Sequence, residues 1–364
     1  MKTSYLKNAL VVPAAALLSL AGLALAQDDA DNAPPVARFV TLPAKPAAGS
    51  VQPNATLPTW NGSFTFNGRT FNYNMVGTAP SSNVSTTVHA LIIPLKIVIT
   101  NSDGTKTTFD PSTVLSNGRT VVQNVVVSPL FDSSTTYVQG GVNVGTTQYI
   151  DAYQRANFWG AVSSNPNYHL LLGGPSVVRV LTLSPPTNQG KTRSPYGFPA
   201  GEVNINWFDG KLQAIITKLG IPANTFPIFL TYDVYLTQFG CCIGGYHSAM
   251  GAQAYAHATY VDHPGIFSQD VSALSHEIGE WADDPLVVNA NGNPVPCGPG
   301  SILEVGDPLE NNPNFGAYPY TVNGFQYNLQ DLVTLPYFGA PPGTSVNSWF
   351  TFQGETLSVC QNGG

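Results

Sequence analysis

Glycine and proline recur so densely, 35 and 30 of them in 364 residues, that no long uninterrupted helix fits most of this chain. In a helix interior glycine costs about 1 kcal/mol relative to alanine, and proline about 3 kcal/mol. Between these breaks lie short runs rich in Val, Ile, Thr and aromatics, the residues that suit a pleated, half-buried surface. Runs at 63–73, 88–100, 120–127 and 176–183 read as strands, with Asn101-Ser-Asp-Gly104 as a hairpin turn. Further strands are expected at 226–236 and 252–261. Helical spacing is confined to two places. One is 209–219, with Asp209 as its cap and Gly220 as its stop; the other is 268–283, ended by Pro285.

The composition supports a folded protein: 43% of residues are hydrophobic and only 10% charged, so there is ample apolar surface to bury. Net charge is −7 and no cluster of Lys or Arg occurs, which excludes a nucleic-acid partner. Residues 1–26 have the pattern of a signal peptide. Lys2 and Lys7 precede an apolar stretch, and Ala24-Leu25-Ala26 forms a small-x-small cleavage site. No later stretch is apolar and long enough to span a bilayer, so a secreted or periplasmic protein is expected. Residues 27–59, rich in Ala, Pro and Asp, read as a flexible leader. A β-rich region at 60–200 and an α+β region at 201–364 follow, and the two can share one domain. Export favours oxidation of Cys241, Cys242, Cys297 and Cys360. A bridge between adjacent cysteines is strained, so Cys241 and Cys242 are each expected to pair with Cys297 or Cys360.

The second helix contains His276-Glu277-Ile278-Gly279-Glu280. His276 and Glu280 are four residues apart and share a helix face, opposite the Val271, Leu274, Ile278 and Trp281 stripe. The apolar side can dock on a sheet while His276 and Glu280 face a cleft. Two ligands one turn apart on a rigid element are what a metal site needs. This is the pattern of the His-Glu-x-x-His zinc hydrolases with Glu280 at the second histidine position. The carboxylate makes the site harder than a two-histidine one, which weakens the case for zinc and raises that for manganese or calcium, with zinc still the first expectation. Glu277 points about a quarter-turn away, suited to a metal-bound water as general base. Four of the six glutamates (277, 280, 304 and 310) fall within 34 residues, and no Lys or Arg follows Lys218. Acids without internal counter-charge call for a cation. Glu304 is the first choice for a third ligand and Asp307 the second, with Asp283 and Asp284 as groups that orient ligands. His247 can reach the same site, whereas His257 and His263 read as structural.

The order of blocks resembles the C-terminal core of the EXORDIUM/phosphate-induced protein family and related bacterial secreted proteins. The blocks are Phe239-Gly-Cys241-Cys242-Ile-Gly-Gly-Tyr246-His247, then His276-Glu277-x-x-Glu280 with Asp284-Pro285, then Glu304-Val-Gly-Asp307. They span about residues 239–307. In the plant members a cysteine closely follows the acidic block; here Pro308 follows it and Cys297 precedes it, so that family's cysteine pairing is not carried over. The resemblance implies secretion, extracellular growth signalling and a shared His/Glu site, without an assigned reaction.

Together these readings predict an α+β fold with a strand-rich N-terminal half. Its C-terminal region is expected to be zincin-like, one metal-site helix packed on a sheet. The expected function is a secreted metal-dependent hydrolase of the zinc metallopeptidase type. His276, Glu280 and Glu304 would hold one divalent ion, Glu277 would act as base, and the substrate would be an extracellular polypeptide or cell-surface molecule. A strand at 252–261 is the expected substrate edge. The alternative is a non-enzymatic, EXORDIUM-like binding or signalling protein with a structural ion. Glycoside hydrolysis by Glu277 and Glu304 leaves His276 without a role.

Overall fold

A computed structural model describes residues 39–40, 42–45, 56–287, 303–310, 312, 316–340 and 343–354. The expected signal segment, Cys297 and Cys360 lie outside these residues. The run at 63–73 folds as a hairpin, not one strand: β1 (Thr59–Phe66) and β2 (Arg69–Val76) pair across Asn67-Gly68, both at positive φ. Asn-Gly favours that tight turn, which reverses the chain inside the β-prone run. β3 (Ser85–Thr100) and β4 (Lys106–Phe109) form the second hairpin, closed by the 101–104 turn.

The run at 120–127 is helical, contrary to its β-branched composition. α1 (Val121–Val126) starts at a capping box in which Thr120 accepts from the Gln123 backbone and the Gln123 side chain accepts from Thr120 N–H. Two satisfied backbone donors outweigh a weak valine preference. Next come the hairpin of β5 (Thr136–Gln139) and β6 (Val142–Thr146), then α2 (Tyr149–Asn157), whose Tyr149, Ile150, Tyr153 and Ala156 fall at helical spacing, and the single turn α3 (Trp159–Val162). The stretch at 176–183 divides between β7 (His169–Val177) and β8 (Leu181–Leu183), both parallel to β3. β9 (Gly190–Arg193) and β10 (Ala200–Asn204) follow.

α4 (Ile205–Leu219) begins earlier than expected because Asn204, not Asp209, accepts from the backbone N–H of Trp207 as its cap; Gly220 ends it in the left-handed conformation. Asp209 is instead buried mid-helix, where the hydroxyls of Tyr246 and Tyr255 donate to its carboxylate. The strand expected at 226–236 breaks at Asp233, at φ 52°, into β11 (Thr225–Tyr232) and β12 (Val234–Thr237). β13 (Gly245–Met250), β14 (Gln253–Tyr260), α5 (Ser272–Asp283), β15 (Ala317–Val322) and β16 (Phe325–Gln330) complete the chain.

The principal sheet runs β13-β14-β11-β3-β4, with β7 and β8 also paired to β3. β3, from the front half, and β14, from the back half, flank β11 in parallel register. Parallel strands are covered on both faces, and the alternation of side chains shows it. Ile92, Ile228, Leu230, Ala256 and Ala258 join one core with α2 and α5; Ile93, Phe229 and Tyr255 join the other with Phe208, Leu212 and Ile216 of α4. Ala254, Ala256 and Ala258 are three of the four β14 positions in the α5 core, Tyr260 being the fourth, and the small size of the alanines lets the helix approach closely. Trp281 of α5 stacks on Phe226 at 4.0 Å. The molecule is therefore α+β and strand-rich, and its described residues lie in one compact unit beginning at Pro35. Among the described residues no helix is long and apolar enough to cross a membrane.

Candidate metal centre

α5 is buried along its whole length, so the expectation of an open cleft beside His276 and Glu280 is not met. The Val271, Leu274, Ile278 and Trp281 stripe packs in the core, and the opposite side is covered as well. β13 crosses it, and the segment Leu303–Glu310 lies against it, tied down where Val333 N–H donates to Val305 O at 2.8 Å. The first turn of that segment is brought to α5 by Gly306 N–H, which donates to Glu280 Oε1 at 3.3 Å. Gly306 can sit there only without a side chain, because a Cβ would enter the His276 ring. Gly245 is equally constrained, since a Cβ would come within 2.6 Å of Glu277 Oε1.

Strand alternation on β13 sends Tyr246 toward α4 and Asp209, and His247 toward α5. His247 Nδ1 lies 3.4 Å from Glu280 Oε2, 3.6 Å from Glu277 Oε2 and 3.9 Å from Glu304 Oε2. His276 Nε2 lies 2.9 Å from Glu280 Oε1 and 3.3 Å from Asp307 Oδ1. These approaches lack hydrogen-bond alignment: His247 Nδ1, His276 Nε2, both oxygens of Glu277 and Glu304, and Asp307 Oδ1 are buried without a hydrogen-bond partner. Orphaned buried polar atoms are rare, and seven in one cluster call for an unseen partner.

The other nitrogen of each ring reveals where its proton sits. His247 Nε2 faces the backbone oxygen of Asp284 at 3.2 Å, an acceptor only, so Nε2 carries a hydrogen. His276 Nδ1 faces Gln330 Oε1 at 3.1 Å. The Gln330 amide is oriented by its NH2 group donating to Gly306 O at 3.2 Å, so Oε1 accepts and His276 Nδ1 carries the hydrogen. The nitrogen left over in each ring points at carboxylates and must meet a positive charge there, a proton or a metal ion. A histidine held by its outer N–H with the inner nitrogen bare is the arrangement of metal ligands.

The electrostatics agree. Burial pushes Glu277 up to about 8 and Asp307 up to about 6, and raises Glu304 well above the carboxylate range. Burial also opposes the charged form of Glu280, yet His276 and His247 outweigh it and hold this carboxyl low. Burial alone would lower both histidines; Glu304 raises His247 and Glu280 raises His276, each well above its ordinary value. The groups that weigh most on each other are thus two histidines and four acids, with no lysine or arginine among them.

Glu277, His276, Glu280 and Glu304, all singled out from sequence, converge here, and so does Asp307. Glu304 stands beside His247 rather than His276. Asp283 turns away, accepting from Tyr153 Oη at 2.8 Å and from the Gln154 amide, and so anchors α5 to α2. Gln330 carries no motif and could not have been found from sequence. His257 is structural, bonded to Thr231 Oγ1 at 3.0 Å. His263 belongs to a separate, partly exposed group with Asp233 and Asp262.

Part of the leader is tied to this centre. Lys45 N–H donates to Ala249 O at 2.8 Å and Gly251 N–H donates to Lys45 O at 2.7 Å, so the leader runs beside β13. Ser248 Oγ donates to Leu42 O at 3.0 Å, and Lys45 pairs with Asp209. Upstream, the Phe39 ring stacks on His276 at 3.9 Å and its N–H donates to Glu310. The sheet edge is therefore β13, not the 252–261 strand, which pairs on both sides.

Cys241 and Cys242 are bonded to each other, across a cis peptide bond, rather than to distant partners. They sit in the loop closed by the Leu236–Ile243 bridge, and the expected partners Cys297 and Cys360 lie outside the described residues. Comparison with family models, curated proteins and solved structures found no match to this chain.

Proposed function

We propose that this chain is a secreted, metal-dependent hydrolase of polypeptides, with α5 as a zincin-like helix. The observation that carries the reading is the pair of imidazoles, each fixed by an outer N–H so that its bare nitrogen meets buried, unpartnered carboxylates. His247, His276, Glu280, Glu304 and Asp307 are the residues suited to hold metal; zinc fits the imidazoles, and manganese or calcium the carboxylates. A bound divalent ion polarises a carbonyl and lowers the pKa of its water toward neutrality. Glu277 lies beside His247 with both oxygens unpartnered, which suits it to take the proton from such a water.

The peptide substrate class rests on β13. The leader already pairs with this edge through backbone hydrogen bonds, as an extended peptide would, and in doing so covers the centre. The reading therefore implies a latent enzyme, opened when the leader is displaced. Replacing Glu277 by Gln tests it: bound metal should stay, while turnover of a peptide library by leader-cleaved protein should fall by about 100-fold or more. Full turnover in that variant would overturn the mechanism.

A second reading is favoured by the complete burial of His247, His276, Glu277 and Glu304. In it the chain is a non-enzymatic extracellular binding protein, as the EXORDIUM-like blocks imply, and the ion is structural. That reading requires no turnover before or after leader cleavage.

A further inference from the structure

We infer that the centre is dinuclear, with Glu280 as a carboxylate bridge between an ion held by His247 and Glu304 and an ion held by His276 and Asp307. The inference rests on the metal-centre reading above and deepens it. Its geometric basis is that the two oxygens of Glu280 serve different neighbourhoods: Oε2 faces His247 Nδ1 at 3.4 Å, and Oε1 faces His276 Nε2 at 2.9 Å. Each neighbourhood then has its own second carboxylate. Glu304 Oε2 stands 3.9 Å from His247 Nδ1, and Asp307 Oδ1 stands 3.3 Å from His276 Nε2.

Ligand atoms roughly 2.1 Å from a tetrahedral ion lie about 3.4 Å from one another, and the four separations scatter around that spacing. His276 with Glu280 and Asp307 is compact enough for one ion; around His247 the compact set is Glu280 with Glu277 at 3.6 Å, Glu304 Oε2 lying slightly farther at 3.9 Å, so Glu304 takes the ligand place only if Glu277 stays free as the base. The two bare imidazole nitrogens fall in separate compact groups that share only Glu280, so one ion placed in either group leaves the other imidazole without it. A carboxylate that offers one oxygen to each of two ions suits a separation of about 3.5–4 Å, as in hydrolytic metal pairs.

Each ion would keep three protein ligands (a histidine, one carboxylate of its own and half of Glu280) and an open position for water. Glu277 remains next to the His247 ion as the base.

The test is metal stoichiometry on the full-length protein loaded with Mn2+ and freed of excess, with electron paramagnetic resonance of the same samples. The expected result is two equivalents per chain with an exchange-coupled signal. His247→Ala and His276→Ala, checked for folding by circular dichroism, should each retain one equivalent with the isolated six-line signal. One equivalent in the wild type, lost in both variants, would overturn the bridge and leave the mononuclear hydrolase intact. Two equivalents without coupling would place the second ion elsewhere, such as at Asp233, Asp262 and His263, and would also overturn it; Asp262→Asn would then lose one. No bound metal would overturn this inference and the proposed function together. The wild-type stoichiometry and spectrum decide the matter even if a histidine variant fails to fold.

Discussion

Gln330 accepts from His276 at 3.1 Å while its own amide group holds Gly306 O, so one side chain sets both the tautomer of a candidate ligand and the position of the acidic segment. Replacing Gln330 by Ala removes both contacts without touching a ligand atom. Metal affinity, read by competition with a chelating dye, should fall by about 10- to 100-fold. An unchanged affinity would mean that the Gln330 contact does not orient His276.

Chelation should destabilise the protein measurably. Four acids and two rings converge in the interior, and metal that binds only the folded state adds RT ln(1 + [M]/Kd), about 2.7 kcal/mol at a hundredfold excess over Kd. Thermal unfolding with and without a chelator should show the difference, and adding the metal back should restore the higher midpoint. Equal midpoints would count against any buried ion.

The leader makes a separate prediction. A protease site introduced between Lys45 and Thr59, followed by cleavage, should release the segment whose Phe39 covers His276. Phe39→Ala and Lys45→Ala, which weaken the stacking and the Asp209 pair, should loosen it without cleavage. Peptide hydrolysis should rise in each case. A rate that stays at background in all three would favour the structural-ion reading.

His257 governs part of the acid sensitivity. Burial lowers it from 6.5 to about 3, so between these values the unfolded chain binds a proton that the folded one refuses. Its stabilising contribution is complete above the unfolded value and is lost as the pH falls from about 6.5 toward 3. The slope from this one group is at most about 1.4 kcal/mol per pH unit. Denaturant titrations of His257→Gln across that window should show a shallower decline than the wild type; parallel curves would remove His257 from the account.

The capping box of α1 offers a local check on the fold. Thr120→Ala removes the acceptor for Gln123 N–H and should cost about 1 kcal/mol in chemical denaturation. Trp281→Ala, which empties the stack on Phe226, should cost about 3–5 kcal/mol. If the two losses were equal, the ranking of cap against core used here would be wrong.

Much of the centre was legible in sequence because its signals are local. His276, Glu277 and Glu280 occupy one helix, whose period is set by backbone geometry, and the lack of lysine and arginine after Lys218 made the acidic cluster conspicuous. The Asn101–Gly104 turn and the Gly220 stop are readable for the same reason: each is decided within a few residues. Where local signals competed, the sequence misled. Valines at 121, 122, 125 and 126 suggest a strand, but a reciprocal cap between Thr120 and Gln123 starts a helix.

What only the tertiary structure decided is which distant groups meet. His247 reaches the acids because strand alternation on β13 turns it toward α5, and Glu304 falls to His247 while Asp307 falls to His276 because Gly306 docks against both Glu280 and the imidazole. Gln330 enters from β16, and Phe39 from a leader that composition marks as flexible. The sequence marks His247, Glu304 and Asp307 as candidates, but no period or motif says which of them pair. They arise where a parallel sheet buries both its faces and brings polar groups from separate elements into one interior, so that each must find a partner among whatever the packing places beside it.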